Sequence, residues 1–374
     1  MDTKLKEVAG VFFKLGCFAF GGPAAHIAMM EEEVVTKRKW MTRAYFLDLI
    51  GTTNLIPGPN STEMTMHCGY ERAGKKGLFI AGIAFIFPAI IITAVLAYLY
   101  VKYGNLPEVA PFIIGIKPAV LAIIASAIIK LGKKAIKTLE LGLIGLLVLI
   151  ASLLGVNEVL ALLLAGIIGM LYFYLKNKSS NSFQTIIPFF LVSGLSTSLF
   201  KITAINVFWI FLKVGAILYG SGYVLFAYLD AELVTKGWLT RVELLDAIAV
   251  GQFTPGPVLS TSTFIGYQLS GFAGALAATT GIFLPSFLFV LILNPLIPKM
   301  QKSRLLRYFL DAVNVAAVAV MLAVLVVMTK DTLIDWQTIV IALLALLLVF
   351  KTKVSTIWVI IIGAVLGYLL YRFM

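Results

Sequence analysis

Long apolar runs are the feature of this sequence that most limits its fold. The run 77–101, for example, contains no charged side chain, and about 20 apolar residues in a helix cover the roughly 30 Å hydrocarbon core of a bilayer. Only 13% of the residues are charged, against about 25% in soluble domains. The strands of a membrane barrel would instead alternate apolar and polar residues. The sequence therefore predicts an all-α polytopic membrane protein.

The net charge of +12 predicts contact with a membrane rather than with nucleic acid. Most Lys and Arg residues lie in short segments between the apolar runs, as the positive-inside rule expects. Cys17 and Cys68 lie in or near apolar segments, so no disulfide framework is predicted. His26 and His67 are isolated from each other and from any cysteine cluster, so we predict no metal site and no other cofactor.

An internal repeat organises the chain. Five blocks recur in the same order, with small slips in register. The matched blocks are FFKLG (12–16) and FLKVG (211–215), 31–49 and 230–247, LIPGPNST (55–62) and FTPGPVLST (253–261), GYERAG (69–74) and GYQLSG (266–271), and Phe87-Pro88 and Leu284-Pro285. We therefore predict two transporter repeats, 1–178 and 206–374. The linker 179–205 holds an apolar segment, 183–200, that we expect to lie at the membrane interface.

Each repeat is predicted to contribute about five transmembrane helices and one re-entrant Pro-Gly-Pro helical hairpin. The arms of the first hairpin, 43–56 and 61–72, would be only about 21 and 18 Å long, too short to cross a bilayer. Five is an odd number, so the second repeat must be inverted. With the first hairpin on the cytoplasmic side, 20 of the 30 Lys and Arg residues fall inside, 7 outside and 3 within spans. This distribution favours the inverted topology.

The duplicated Pro-Gly-Pro loops are the candidate substrate site. The loop residues are Pro57, Gly58 and Pro59, and Pro255, Gly256 and Pro257. A helix is predicted to begin after each loop with polar side chains, at Asn60, Ser61 and Thr62, and at Ser260, Thr261 and Ser262. Free N–H groups and the partial positive charge at a helix start suit an anion, and transporters with inverted repeats bind substrate between the copies. The alternative is re-entrant packing in which the hydroxyls only cap helices.

Three lysines within predicted spans are candidate anion-binding residues. Lys14 and Lys213 occupy the same repeat position, whereas Lys117 has Asn314 as its counterpart. A charge inside a membrane is costly and usually faces a functional cavity. Each lysine is also near a helix end, so its ammonium group could instead extend to the interface.

The acidic residues fall into two groups. We expect Glu31, Glu32 and Glu33, with Asp230 and Glu232, to form a solvated face beside the basic loops. Asp48 and Asp246 are matched in the two hairpins and are as compatible with a structural as with a functional role. Glu63 follows the first loop, where a carboxylate would repel an anion. It could cap the helix, pair with a lysine or carry a coupled proton, and the sequence leaves these alternatives open.

At these residues the sequence resembles the chromate ion transporter family in its long-chain form, with two fused homologous halves. The resemblance rests on FGGPAAHIAMMEEEV (20–34), NLIPGP (54–59), GIKPAV (115–120) and TPGPVLSTSTFIGYQLSG (254–271). It implies export of chromate across the plasma (inner) membrane of a prokaryote, with sulfate as a related or competing anion. Glu63 departs from the neutral residue expected there.

Together these features predict a secondary transporter that exports a small tetrahedral oxyanion by alternating access between the two repeats. The alternatives are a carrier for sulfate or another oxyanion, and an anion channel with the same paired loops. We do not expect an enzyme, because the sequence lacks a redox motif and its segment GYERAGKK (69–76) has Lys76 where a P-loop needs Ser or Thr. The sequence leaves the oligomeric state open, with a homodimer among the alternatives.

Overall fold

The computed structural model describes residues 3–20, 22–53, 56–104, 106–176, 203–219, 222–293, 303–352 and 354–372. Over this part of the chain the secondary structure is helical and contains no strand, so the predicted all-α class is confirmed. Five helices are long and apolar enough to cross a membrane, and four apolar helices of 10–17 residues accompany them. The apolar linker segment 183–200 lies outside the described residues.

The helices follow one order in both halves of the sequence. Those of the first repeat are α1 (Thr3–Phe18), α2 (Gly22–Met30), α3 (Arg43–Thr53), α4 (Asn60–Tyr103), α5 (Ala110–Ala135), α6 (Leu139–Leu153) and α7 (Glu158–Lys176). Those of the second are α8 (Ala204–Ile217), α9 (Leu225–Leu229), α10 (Arg241–Phe253), α11 (Thr261–Leu293), α12 (Arg304–Thr332), α13 (Trp336–Lys351) and α14 (Thr356–Arg372). A π-helical segment follows α2 at Glu31–Lys37 and α9 at Asp230–Val234. The inverted orientation of the repeats remains a prediction.

Helices α4 and α11 each fold back on themselves at a matched break. Gly74 and Gly271 adopt φ values of 62° and 61°, a left-handed conformation that favours glycine. In the first repeat, Gly69 and Gly77 pack so closely that a Cβ on either would overlap the backbone of the other. The short helical arm after each Pro-Gly-Pro loop therefore packs directly against the long apolar helix that follows it.

The C-terminal helices of the two repeats are exchanged in the packing. Helix α5 of the first repeat packs against α13 and α14 of the second, while α12 of the second packs against α6 and α7 of the first. By contrast, α1 packs on α4 and α8 packs on α11 within each repeat, and α4 meets α11 between them. We call α1–α4 and α8–α11 the loop-bearing helices, and α5–α7 and α12–α14 the exchanged helices.

Small residues allow the exchanged helices to approach closely. Gly115 of α5 lies against Gly363 and Gly367 of α14, and a Cβ on Gly115 would overlap the α14 backbone. Because lipid tails are as apolar as the helix surfaces, close van der Waals contact of this kind is what holds membrane helices together. The Gly363 and Gly367 pair thus has a packing role between the two repeats.

Candidate functional site

Each Pro-Gly-Pro loop is hydrogen-bonded to the interrupted first helix of the other repeat. The amide of Gly58 donates to the carbonyl oxygen of Leu218, at 2.7 Å, and the amide of Gly256 donates to the carbonyl oxygen of Ala19, at 2.9 Å. Leu218 follows α8 directly and Ala19 follows α1, so the two acceptors occupy the same repeat position. Reciprocal bonds of this kind bring both loops and both helix interruptions to the contact between the repeats.

The first loop leads into α4 without a side-chain cap. Pro59 stands at the N-cap, and its carbonyl oxygen accepts hydrogen bonds from the amides of Thr62 at 2.8 Å and Glu63 at 3.0 Å. The Oγ1 atom of Thr62 is buried and has no hydrogen-bond partner among the described residues. Ser61 is also buried, and its carbonyl oxygen accepts from the Thr65 hydroxyl. The capping alternative therefore does not account for the first loop.

In the second loop two of the three predicted hydroxyls are already engaged. Thr261 Oγ1 donates to the carbonyl oxygen of Val258, and Ser262 Oγ donates to that of Leu259. Ser260 is fully buried, and its Oγ has no partner within the described segments. Ser260 is consequently the hydroxyl of this loop that is most readily available to a ligand.

Glu63 lies directly over the first loop. A Cβ on Gly58 would collide with Glu63 Oε1 and with Ser286 Oγ of α11, so the two oxygens are neighbours on one side of the loop. Glu63 is fully buried, and neither of its carboxylate oxygens has a hydrogen-bond partner in the described parts of the chain. No ion pair to Glu63 is formed there either, so neither helix capping nor pairing with a lysine is seen, and the coupled proton remains a prediction.

The three predicted lysines are each close to a carboxylate. Lys14 Nζ lies 3.6 Å from Glu33, and Lys213 forms the equivalent ion pair with Glu232 in the second repeat. Exposure differs sharply, because the side chain of Lys14 is 65% exposed and that of Lys213 is 30% exposed. These contacts offer a structural reason for both charges, and a direct role in anion binding remains a prediction.

Lys117 joins the second hairpin to the exchanged helices. Its ammonium group on α5 lies 3.6 Å from Asp246 of α10, whose other carboxylate oxygen accepts a hydrogen bond from the Tyr100 hydroxyl at 2.6 Å. Asp246 is almost fully buried, whereas its repeat counterpart Asp48 is exposed. The two hairpins therefore differ, with α10 buried among its neighbours and α3 largely exposed.

The expectation of a solvated acidic face is wrong for three of its five residues. Glu33, Asp230 and Glu232 are buried, because the π-helical segments turn them toward basic partners. Glu33 contacts Lys37 and Arg38 as well as Lys14, and Glu232 contacts Lys236 as well as Lys213; Glu31 and Asp230 pair with Arg43 and Arg241.

The basic partners keep the two buried glutamates ionised. Burial raises the pKa of Glu33, but the hydrogen bond and charge of Lys37 and the charge of Arg38 outweigh it and leave the pKa below its ordinary value. The pKa of Glu232 is lowered for the same reasons by its two lysines, again against the effect of burial. These matched ion-pair clusters therefore form part of the repeat itself.

Two further residues at the site were missed from the sequence. Nε2 of the buried His26 donates to the Ala19 carbonyl oxygen, at 3.1 Å, which also accepts from Gly256. Ser286 beside Glu63 directly follows the matched Pro285, and extending that match would have flagged a serine opposite Ala89. Within the described residues no three His, Cys, Asp or Glu side chains are grouped as metal ligands.

Paired interrupted helices and duplicated loops in an apolar helical bundle define a multi-pass membrane protein of the transporter class. The "Chromate transporter" family model matches residues 6–170 and 205–368. The chain therefore belongs to the chromate transporter family, and the resemblance seen in its motifs is confirmed.

Several relatives match over nearly their whole length. The chromate transport protein of Cupriavidus metallidurans is 32% identical, over 97% of this chain and 92% of its own. The probable chromate transport protein of Synechococcus elongatus is 32% identical, over 98% and 96%. The chromate transport protein of Pseudomonas aeruginosa is 28% identical, over 96% and 91%. No solved structure matches this chain. The family and these bacterial relatives indicate a prokaryotic membrane protein and a transporter rather than an enzyme.

Proposed function

We propose that this chain is a secondary transporter that exports chromate across the plasma membrane of a prokaryotic cell. The observation that carries the proposal is the reciprocal pair of hydrogen bonds from Gly58 to Leu218 and from Gly256 to Ala19. They join two duplicated loops and two interrupted helices at one place between the repeats, which is where transporters of this architecture bind substrate.

The chemistry of the loops favours a small oxyanion. Two helix starts, each with a partial positive charge, begin at the loops, and the buried hydroxyls of Thr62 and Ser260 have no protein partner in the described residues. Hydroxyl and amide donors can surround a tetrahedral anion without a full countercharge. We assign the anion as chromate because relatives matching almost the full length are chromate transport proteins. Asn60 and Ser61 complete the proposed binding set, whereas the hydroxyls of Thr261 and Ser262 would have to give up their bonds to Val258 and Leu259 to contact the anion.

Alternating access is supported by the difference between the two hairpins. Asp246 on α10 is buried against Lys117, while the matched Asp48 on α3 is exposed. If the repeats exchange these two conformations, the site opens first to one side of the membrane and then to the other. The exchanged packing of α5 and α12 argues against two repeats that rock as separate bodies. We therefore propose that the loop-bearing helices move against the exchanged helices.

Export is favoured by the membrane potential. Each elementary charge that crosses 100 mV gains or loses about 2.3 kcal/mol. A dianion leaving a cell that is negative inside gains about twice that amount, so transport can run outward without ATP.

The test is uptake of labelled chromate into proteoliposomes that contain the purified protein, with imposed potentials. Saturable, potential-dependent movement of chromate is expected, and folded protein that moves no chromate would refute the proposal. Competition with sulfate separates a chromate carrier from a general oxyanion carrier. A single-channel current far above carrier turnover would instead establish the anion channel.

A further inference from the structure

Four buried polar atoms close to the first loop have no hydrogen-bond partner among the described residues. They are the two carboxylate oxygens of Glu63, Thr62 Oγ1 and Ser286 Oγ, all without a hydrogen bond to any described residue. A buried polar group that stays unpaired is destabilising, and native structures rarely leave several in one place. Glu63 and Ser286 meet over Gly58, and Thr62 precedes Glu63 in the first turn of α4, so this grouping indicates that something other than the protein completes these hydrogen bonds.

The charges around Glu63 do not balance a carboxylate. Tyr219, beside the interruption after α8, is close enough to Glu63 for the two side chains to interact electrostatically. His67 lies one helical turn farther along α4, and α11 presents the neutral Ser286 to it. Neither carboxylate oxygen of Glu63 has a lysine or arginine partner among the described residues. An ionised Glu63 next to a bound oxyanion would place two like charges together in a low-dielectric site.

A single proton removes this conflict. On the basis of the proposed oxyanion site, we propose that Glu63 binds one proton together with each oxyanion, held in a hydrogen bond between the carboxyl group and the anion. The proton can be drawn on either partner. Either a protonated carboxyl group donates to a dianion, or a carboxylate accepts from a hydrogen oxyanion. The two arrangements contain the same atoms and have the same total charge. In either form, one negative charge of the pair is neutralised and the carboxyl group gains the partner that it lacks.

The repeat explains why the proton is single. In the register set by Gly69 and Gly266, the counterpart of Glu63 is Ser260, and the counterpart of Ser286 is Ala89. The second loop thus offers a neutral hydroxyl where the first offers a carboxyl group. One ionisable group in an otherwise duplicated site takes up one proton per anion.

This arrangement also bears on substrate choice. Chromate exists partly as hydrogen chromate near neutral pH, whereas sulfate is fully deprotonated there. Hydrogen chromate can bring the shared proton with it, whereas sulfate can be paired only when Glu63 has itself taken up a proton, because an ionised Glu63 beside sulfate would be an unpaired buried acceptor. Glu63 is therefore a specificity-determining residue that favours oxyanions able to bring a proton.

The experiment counts the protons taken up when chromate binds. Calorimetric titration of the purified wild-type protein in buffers of different ionisation enthalpy, at mildly alkaline pH, should give about one proton per chromate, with a Kd that rises about tenfold per pH unit. Glu63→Gln keeps a hydrogen-bonding side chain without titration, and should give no uptake and a Kd independent of pH. Glu71→Gln is the matched control, because it removes an exposed carboxyl group from the same helix. This variant should still take up about one proton per chromate.

The outcomes separate the two proposals. If folded wild-type protein binds no chromate, the proposed substrate fails. If it binds chromate without proton uptake, or if Glu63→Gln still takes up a proton, the role of Glu63 is overturned while the substrate stands. Should Glu63→Gln fail to fold, Glu63→Asp keeps the carboxyl group. It should retain one proton but shift the pH at which the Kd begins to rise, and an unchanged pH profile would contradict the inference.

Discussion

Replacing Lys213 should cost far more stability than replacing Lys14, although the two lysines occupy the same repeat position. Glu232, the partner of Lys213, has a side chain only 4% exposed, and its other basic contact is Lys236 at 2.7 Å. Removing one partner of a buried ion pair costs about 3–5 kcal/mol. Because Lys236 remains, we expect about half of that, roughly 1.5–2.5 kcal/mol, for Lys213→Met.

Lys14→Met provides the matched comparison. Lys14 is 65% exposed, and Glu33 keeps Lys37 at 3.2 Å and Arg38 at 2.8 Å. An exposed pair contributes only about 0–1 kcal/mol, so the loss for Lys14→Met should stay below about 1 kcal/mol. The free energy of unfolding of each variant is measured by SDS titration in mixed micelles.

A double variant tests whether the cost comes from an unpaired buried charge. Lys213→Met with Glu232→Gln removes both partners, so it should recover most of the stability that Lys213→Met loses. Equal losses in the two single variants, or a double variant no more stable than Lys213→Met, would refute this reasoning. A Lys213→Met protein of normal stability that no longer transports chromate would instead support a direct role in anion binding.

Three further predictions concern packing and exposure. Gly58→Ala should lower the free energy of unfolding by about 2–4 kcal/mol and abolish transport, because Gly58 has a φ of 140° and a Cβ there meets Glu63. Gly51 has open space around it, so the control Gly51→Ala should change the free energy of unfolding by less than about 1 kcal/mol. Gly115→Leu should separate α5 from α14 and lower the unfolding free energy by about 3 kcal/mol, and unchanged stability would contradict the close helix contact. With the native cysteines replaced, Asp48→Cys should react with a water-soluble maleimide at least about tenfold faster than Asp246→Cys, and equal rates would argue against the asymmetry of the hairpins.

Much of the helical order follows from the sequence, because apolar length and proline or glycine interruptions act locally. The apolar run 77–101 lies within α4, one of the helices that are long and apolar enough to cross a membrane. The matched breaks at Gly74 and Gly271 also lie in a repeat block that sequence comparison alone identifies. Features of this kind can be predicted without knowing which helices pack against each other.

The contacts between distant segments could not be read in this way. Apolarity predicts that α5 is buried but does not say that its partner is α14 of the other repeat. The solvated face was predicted for Glu33 and Glu232 because charge runs are usually exposed, and the π-helical segments that bury them leave no simple periodic signal. Ser286 is one serine in an apolar helix, and only its place beside Glu63 gives it a role.

The residues that break the repeat have energetic consequences for the transport cycle. In the proposed alternating-access cycle, two identical inverted repeats would make the inward-facing and outward-facing states equivalent by a two-fold rotation, and therefore equal in energy. Lys117 pairs with Asp246 in this structure, whereas its counterpart Asn314 carries no charge with which to pair Asp48 in the opposite state. The state described here is therefore stabilised by an ion pair that the opposite state lacks. Lys117→Asn would make the repeats alike at this position, so it should move the two states toward equal population. In a protein that keeps Asp246, this shift should lower the maleimide reactivity of a cysteine at 48, which is exposed in the state described here.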